Sequence, residues 1–131
     1  MSYIPKYILK RMFPNDCCKS VENGGVEISM VNVISPISID EVPDNVLDYI
    51  EVKIDGNEVS KDKIAKAKIL FEDEEYNLAN AKNALGKTIP VGGTLKIIVP
   101  DLGLNAGEEH EFEITIKTNN PINIKVARTI Q

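Results

Sequence analysis

Gly107-Glu108-Glu109-His110-Glu111-Phe112-Glu113-Ile114-Thr115-Ile116-Lys117 alternates at every step, with His110, Phe112, Ile114 and Ile116 on one side and Glu109, Glu111, Glu113 and Thr115 on the other. A pleated strand sends successive side chains to opposite faces, whereas a helix brings together residues three and four apart. The segment therefore predicts an antiparallel strand with one buried and one wet face. Two more alternating segments flank it in sequence. One is 94–99, ahead of a turn-rich loop over 100–107, and the other is 122–126, introduced by Pro121.

The same pattern continues toward the N-terminus. Residues 49–54 alternate into Asp55-Gly56, a tight-turn pair, and 57–59 complete a hairpin. Asn23-Gly24-Gly25 marks a turn before 26–34, which starts in alternation and ends nearly continuous, so its second half is expected to be covered on both sides. The excursion over 34–45 carries Pro36 and Pro43, which lack the donors a central strand needs. Residues 67–71 form a short strand, followed by an acidic turn at Glu72-Asp73-Glu74-Glu75. The one helix expected is 77–85, ended by Gly86. Residues 3–13 allow either an amphipathic helix or a first, edge strand, and Pro5, Ile8 and the aromatics favour the strand. Seven or eight strands at this spacing predict an all-β protein: residues 1–131 as one antiparallel β-sandwich, immunoglobulin-like or jelly-roll-like, with at most one short helix.

Composition limits the activities. The chain of 131 residues, 43% hydrophobic and 27% charged, falls in the range of one globular domain. A chain of that size hides roughly two thirds of its extended surface on folding. A net charge of -5 repels polyanions, and only the basic N-terminus offers a local stripe against that field, so no nucleic-acid partner is expected, and no membrane partner either. The apolar runs near the N-terminus are too short for a secretion signal core or a membrane span, and a cytoplasmic setting is expected. Cys17 and Cys18 are adjacent. A disulfide between neighbours closes a strained ring, so the pair predicts reduced thiols, one buried and one partly exposed, and not a staple.

Chemistry-bearing constellations are sparse. Calcium loops space their acids at alternate positions around a bending glycine, and 72–75 has neither feature. Gly86-Lys87-Thr88 ends like a phosphate loop, but Ala81 stands where the first glycine belongs and a strand follows, so no nucleotide site is expected. His110 is the single histidine, too few for an imidazole-rich metal site. Two readings of it are open: a general base, or a core-edge residue bonded to a carbonyl, which suits its apolar stripe better. No residue is assigned to catalysis, to a cofactor or to a metal, and the chain is not expected to be an enzyme by itself.

One resemblance bears on function. Tyr49-Ile50-Glu51-Val52-Lys53-Ile54-Asp55-Gly56-Asn57-Glu58-Val59, then Tyr76-Asn77-Leu78, Leu95-Lys96-Ile97-Ile98-Val99-Pro100, Gly103-Leu104 and Gly107 through Ile114 together resemble the small, β-rich subunit of bacterial C-glycoside deglycosidases, mainly over 49–118. In that family the small subunit is a β-sandwich on a larger barrel subunit, which holds most of the metal and acid–base residues. The resemblance implies a noncatalytic accessory subunit that packs on a larger barrel-type catalytic partner acting on a sugar-like substrate. No catalytic residue carries over, and the proline-rich 34–45 departs from the family pattern. The alternative, read from exposed strand edges, is a self-associating structural or binding module that forms a homo-oligomer.

Overall fold

The computed structural model describes residues 2–3, 5–39, 44–71, 74–117 and 122–131. In chain order its elements are β1 (Ser2–Tyr3), α1 (Lys6–Met12), β2 (Cys18–Val21), β3 (Gly25–Val31), β4 (Ile37–Ser38), β5 (Ile50–Ile54), β6 (Asn57–Glu58), α2 (Lys61–Ile64), β7 (Lys68–Phe71), β8 (Glu74–Tyr76), β9 (Thr88–Ile89), β10 (Thr94–Val99), β11 (Glu109–Ile116) and β12 (Ile122–Thr129). Short 3-10 turns occupy Glu22–Gly24, Val46–Tyr49 and Ala81–Ala84. The chain is predominantly β and sandwich-like, with no barrel closure. Among the described residues eight strands run three residues or more, and four are two residues long.

Alternation in sequence becomes two faces in space. One sheet has the order β1-β12-β11-β5-β6 and the other β2-β3-β10-β7-β8, while β4 and β9 form a separate ribbon. Strand β11 is central: it pairs antiparallel with β12 from Glu109↔Thr129 to Ile116↔Ile122, and with β5 from Phe112↔Ile54 to Ile116↔Ile50. Its sequence neighbour β10 belongs to the opposite sheet, between β3 and β7. Phe112, Ile124 and Val126 meet Cys18, Val26 and Ile28 across the sandwich in one core with Met12, Phe13, Cys17 and Ile130. A second cluster of Phe71, Tyr76 and Ile89 lies toward β7 and β8. Fully burying one such side chain contributes about 1.5–3 kcal/mol, against about 0–1 kcal/mol for an exposed ion pair. The outer-face pairs Lys117–Glu51 and Lys125–Glu111 therefore matter less to stability than the inner stripe.

Turn chemistry sets the registers. Asp55 (φ 54°) and Gly56 (φ 84°) both take left-handed backbone, the type I′ hairpin geometry that Asp-Gly favours. At the β2–β3 turn the backbone is crowded, because a Cβ at Gly25 would stand 2.6 Å from the Val99 carbonyl oxygen. Leu104 N–H donates to the Gly24 carbonyl (3.0 Å), so this turn also fastens the loop after β10.

One side of the sandwich is sealed. The N-terminal segment runs beside β12, from the Tyr3↔Asn123 pairing to the Phe13 carbonyl, which accepts two bonds from Arg128. At the far end Ile130 N–H donates to Glu108 and its carbonyl accepts from Gly107, extending the β11 side. Gln131 then exchanges bonds with β2, accepting from Ser20 (3.0 Å) and donating to Cys18 (2.9 Å). The last two residues thus clasp one sheet to the other.

Several expectations are corrected. Residues 6–12 are helical and not an edge strand. Ile8, Leu9, Met12 and Phe13 recur at helical spacing and all pack on the main core, while Lys10 and Arg11 complement the helix C-terminus. Burial of that face overrides the β preference of its aromatics. The expected helix at 77–85 is only the 3-10 turn Ala81–Ala84, preceded by Asn-capped turns at Asn77 and Asn80. A second helical turn, α2, forms instead in the lysine-rich stretch, where Lys61 Nζ donates to the carbonyls of Leu47 and Ile50. In β3 the well-covered half is the first, Val26 and Ile28, and the second is only half-buried. Glu74 and Glu75 belong to strand β8 and not to a turn, while Glu72, Asp73, residues 40–43 and Pro121 lie outside the described residues.

The clasp gives a direct expectation. Ile130→Ala should lower the free energy of unfolding by about 2–5 kcal/mol, as for a buried isoleucine, while the exposed Val91→Ala should stay within about 0.5 kcal/mol. Urea denaturation measures both. A wild-type midpoint for the Ile130 variant would remove the clasp from the core.

Candidate functional site

His110 opens β11 on the inner face, at the end where the β5–β6 hairpin turns. Pairing of Ile54 with Phe112 sets Asp55 beside Glu111, and Asp55 then binds twice. Its Oδ1 accepts from Glu111 N–H (2.9 Å) and its Oδ2 faces His110 Nδ1 at 2.6 Å. On the other side of the ring, Glu108 Oε1 stands 3.2 Å from His110 Nε2 and also accepts from Asn105 N–H (2.9 Å). Phe112 meets the imidazole edge-on, with centroids 6.4 Å apart.

Both ring nitrogens face carboxylate oxygens, which only accept, so the doubly protonated, cationic ring is the form that satisfies both contacts. The Asp55 carboxylate first, then Glu108, raises the His110 pKa above its ordinary 6.5, against a desolvation that lowers it. Asp55 is lowered chiefly by the Glu111 N–H and then by His110, and Glu108 chiefly by the Asn105 N–H and then by His110. While both contacts hold, neither nitrogen keeps a lone pair for a substrate proton. His110 is thus a cationic pin between the hairpin turn and the loop at 105–108, bonded to carboxylates and not to a carbonyl. Its side chain keeps 16% exposure.

The partners of His110 were only partly readable. Glu108 lies two residues ahead of His110, just before β11 begins, a spacing present in the sequence. Asp55 reads as a turn former, and its approach needs the β5–β11 register. Glu109 and Glu111 are exposed and leave the ring to others, as alternation predicts.

Cys17 and Cys18 are both buried, so the expectation of one partly exposed thiol is corrected. Their sulfurs stand 3.4 Å apart. Cys17 lies in the turn ahead of β2, its N–H donating to Pro14, so the usual strand alternation does not separate the pair. Buried Asn32 is the polar hub of the opposite side. Its amide donates to the carbonyls of Ser35, Ile89 and Pro90, and its Oδ1 accepts from Ile34 N–H. Beside this hub, Ile34 (53% exposed), Ile37, Leu85 and Val91 (56% exposed) line the β4–β9 ribbon and its turns. Among the described residues no three or more His, Cys, Asp or Glu converge to hold a metal ion, and no helix is long and apolar enough to cross a membrane. Lys87 at the phosphate-loop-like Gly86-Lys87-Thr88 pairs with Glu74, and Thr88 lies in β9.

Against known proteins, the sequence matches no family model and no curated protein.

The histidine pin has a definite pH signature. A raised His110 pKa contributes stability that is complete below the unfolded value near 6.5 and is lost as pH climbs through the folded value. The depressed carboxylates, from ordinary values of 3.8 and 4.5, contribute above those values and lose that contribution in acid. The cluster is therefore most stabilising between about pH 4.5 and 6.5. His110→Gln should remove the fall in urea midpoint between about pH 6 and pH 9 that wild type shows. Parallel pH profiles of the two proteins would sink the pin.

Proposed function

We propose that this chain is a noncatalytic accessory subunit that docks on a larger, barrel-type catalytic partner acting on a sugar-like substrate. The observation that carries the reading is the asymmetry of the sandwich. One side is covered by α1, which exposes Tyr7, and is tied by the Gln131 clasp, whereas the side of the β4–β9 ribbon presents four apolar side chains, Ile34, Ile37, Leu85 and Val91, to solvent. The lysines near that patch are neutralised: Lys82 pairs with Asp44 and Lys87 with Glu74. Exposed apolar side chains whose neighbouring described lysines are already paired suit an interface, because a partner covers them without desolvating those lysines as lone ions. Occupation of both His110 nitrogens by structural carboxylates adds support, since the chain's single imidazole is engaged in holding its own fold. The identity of the partner as a barrel enzyme on sugar-like substrates rests on the resemblance to C-glycoside deglycosidase small subunits.

Affinity capture from the native source should recover a larger chain in stoichiometric amount. Val91→Glu combined with Ile34→Glu should abolish that recovery while changing the urea midpoint little, because both positions are exposed. Recovery of this chain alone, as a symmetric oligomer that the same two substitutions dissociate, would replace the accessory role with self-association.

A further inference from the structure

Helix α1 has two faces of opposite character. Ile8, Leu9 and Met12 turn to the core, whereas Lys6, Tyr7, Lys10 and Arg11 are exposed and span about 140° around the helix axis. At 69% exposure, Tyr7 is the most open large apolar side chain among the described residues. None of the three cations beside it has an ion-pair partner among those residues. Charge is also divided along the chain. Residues 1–19 hold four cations against Asp16 alone, a charge of +3, which leaves -8 on the rest of a chain whose net charge is -5.

The complement to that face is present on the chain itself, on the outer side of the β12-β11-β5-β6 sheet. Registers place Glu58, Glu109, Glu111 and Glu113 there with Lys53 and Lys125. The lysines are engaged: Lys53 and Lys117 both pair with Glu51, and Lys125 with Glu111. Glu58, Glu109 and Glu113 are left without a cation among the described residues, three acids against the three cations of α1. We propose that the exposed basic face of α1 docks on this acidic sheet face of a second copy of the chain.

The spacings agree. Four residues of a helix rise about 6 Å and two residues of a strand about 6.7 Å, so a helix laid along β11 sets Lys6 and Lys10 over successive outward glutamates. Ala127, exposed and opposite Glu111, is the flat place among these charges that the Tyr7 ring covers. The N-terminal segment runs beside β12 and β11 lies on its other side, so the two patches are neighbours. Reciprocal docking about a two-fold axis therefore joins both at once and closes a dimer. The contact is small, built on a helix of seven residues, which places it in the weak, salt-dependent class. It is separate from the β4–β9 ribbon of the accessory reading, so a chain docked there still pairs through α1.

Sedimentation velocity of the folded full chain reads this contact. Wild type should form a concentration-dependent dimer at about 50 mM salt, and its dissociation constant should rise at least about tenfold at about 500 mM, as screening shortens the reach of the charges. Lys10→Glu with Arg11→Glu should be monomeric at low salt, and so should Glu58→Lys with Glu109→Lys. All four positions are exposed, so neither variant disturbs the core. An equimolar mixture of the two variants should dimerise again, because the reversed charges complement one another. Ile34→Glu with Val91→Glu should leave the dimer intact. Wild type that stays monomeric at low salt would overturn the proposal, as would a dimer that persists in the Lys10→Glu, Arg11→Glu variant or is lost in the ribbon variant. Monomeric wild type that binds phosphatidylserine vesicles through Lys10 and Arg11 would overturn it too, and would give the helix face to a membrane surface.

Discussion

The placement of β11 between β12 and β5 is the constraint on which the rest of the molecule depends. Its register with β12 sets Phe112 opposite Val126 and Ile114 opposite Ile124, and its register with β5 sets Phe112 opposite Ile54. A slip of one residue on either side would turn these side chains to water and bring Glu111 and Glu113 inside. Burial of Phe112 against the β2–β3 half of the other sheet therefore selects the register, and the register in turn carries Asp55 to His110. The hydrophobic stripe thus builds the charged cluster at its end. No separate determinant is needed for the cluster beyond the residue types themselves.

The two long sides of the sandwich solve the exposed-edge problem differently. Along β12 the edge pairs with Ser2 and Tyr3 at its start, meets the Phe13 carbonyl through the Arg128 side chain, and is followed by Gln131, which crosses to β2. The other side ends in short strands, β6 and β8, which leave little backbone for another chain to pair with. What it offers is side-chain surface, the apolar residues around the β4–β9 ribbon held in place by Asn32. Four hydrogen bonds to the one buried Asn32 amide tie Ile34 and the turn before Val91 in place. Rigid surfaces lose less entropy on association.

Legibility in the sequence followed the range of the interactions concerned. The hairpin at Asp55-Gly56, the strand 94–99 and the alternation through Phe112 were readable because turn geometry and pleating act over neighbouring residues. The N-terminal helix was misread because its local signals conflict, and only packing of Ile8, Leu9, Met12 and Phe13 on the core resolves them. The cysteine pair shows the same limit. Its adjacency suggests divergence to two faces, while a single turn-closing bond at Pro14 brings both sulfurs inside.

Composition and period alone determined a mostly-β chain, the inner and outer face of β11, and the presence of a single histidine at the start of its inner stripe. These follow from residue identity and from the fixed two-residue repeat of a pleated strand. Only the tertiary structure decided that β10 and β11, neighbours in sequence, lie in opposite sheets. It also decided that His110 is clamped by Asp55 and Glu108, and that Ile130 and Gln131 join the two layers. Each of these depends on which distant segments pair, a choice made by burying one common apolar face and not by any short stretch of chain.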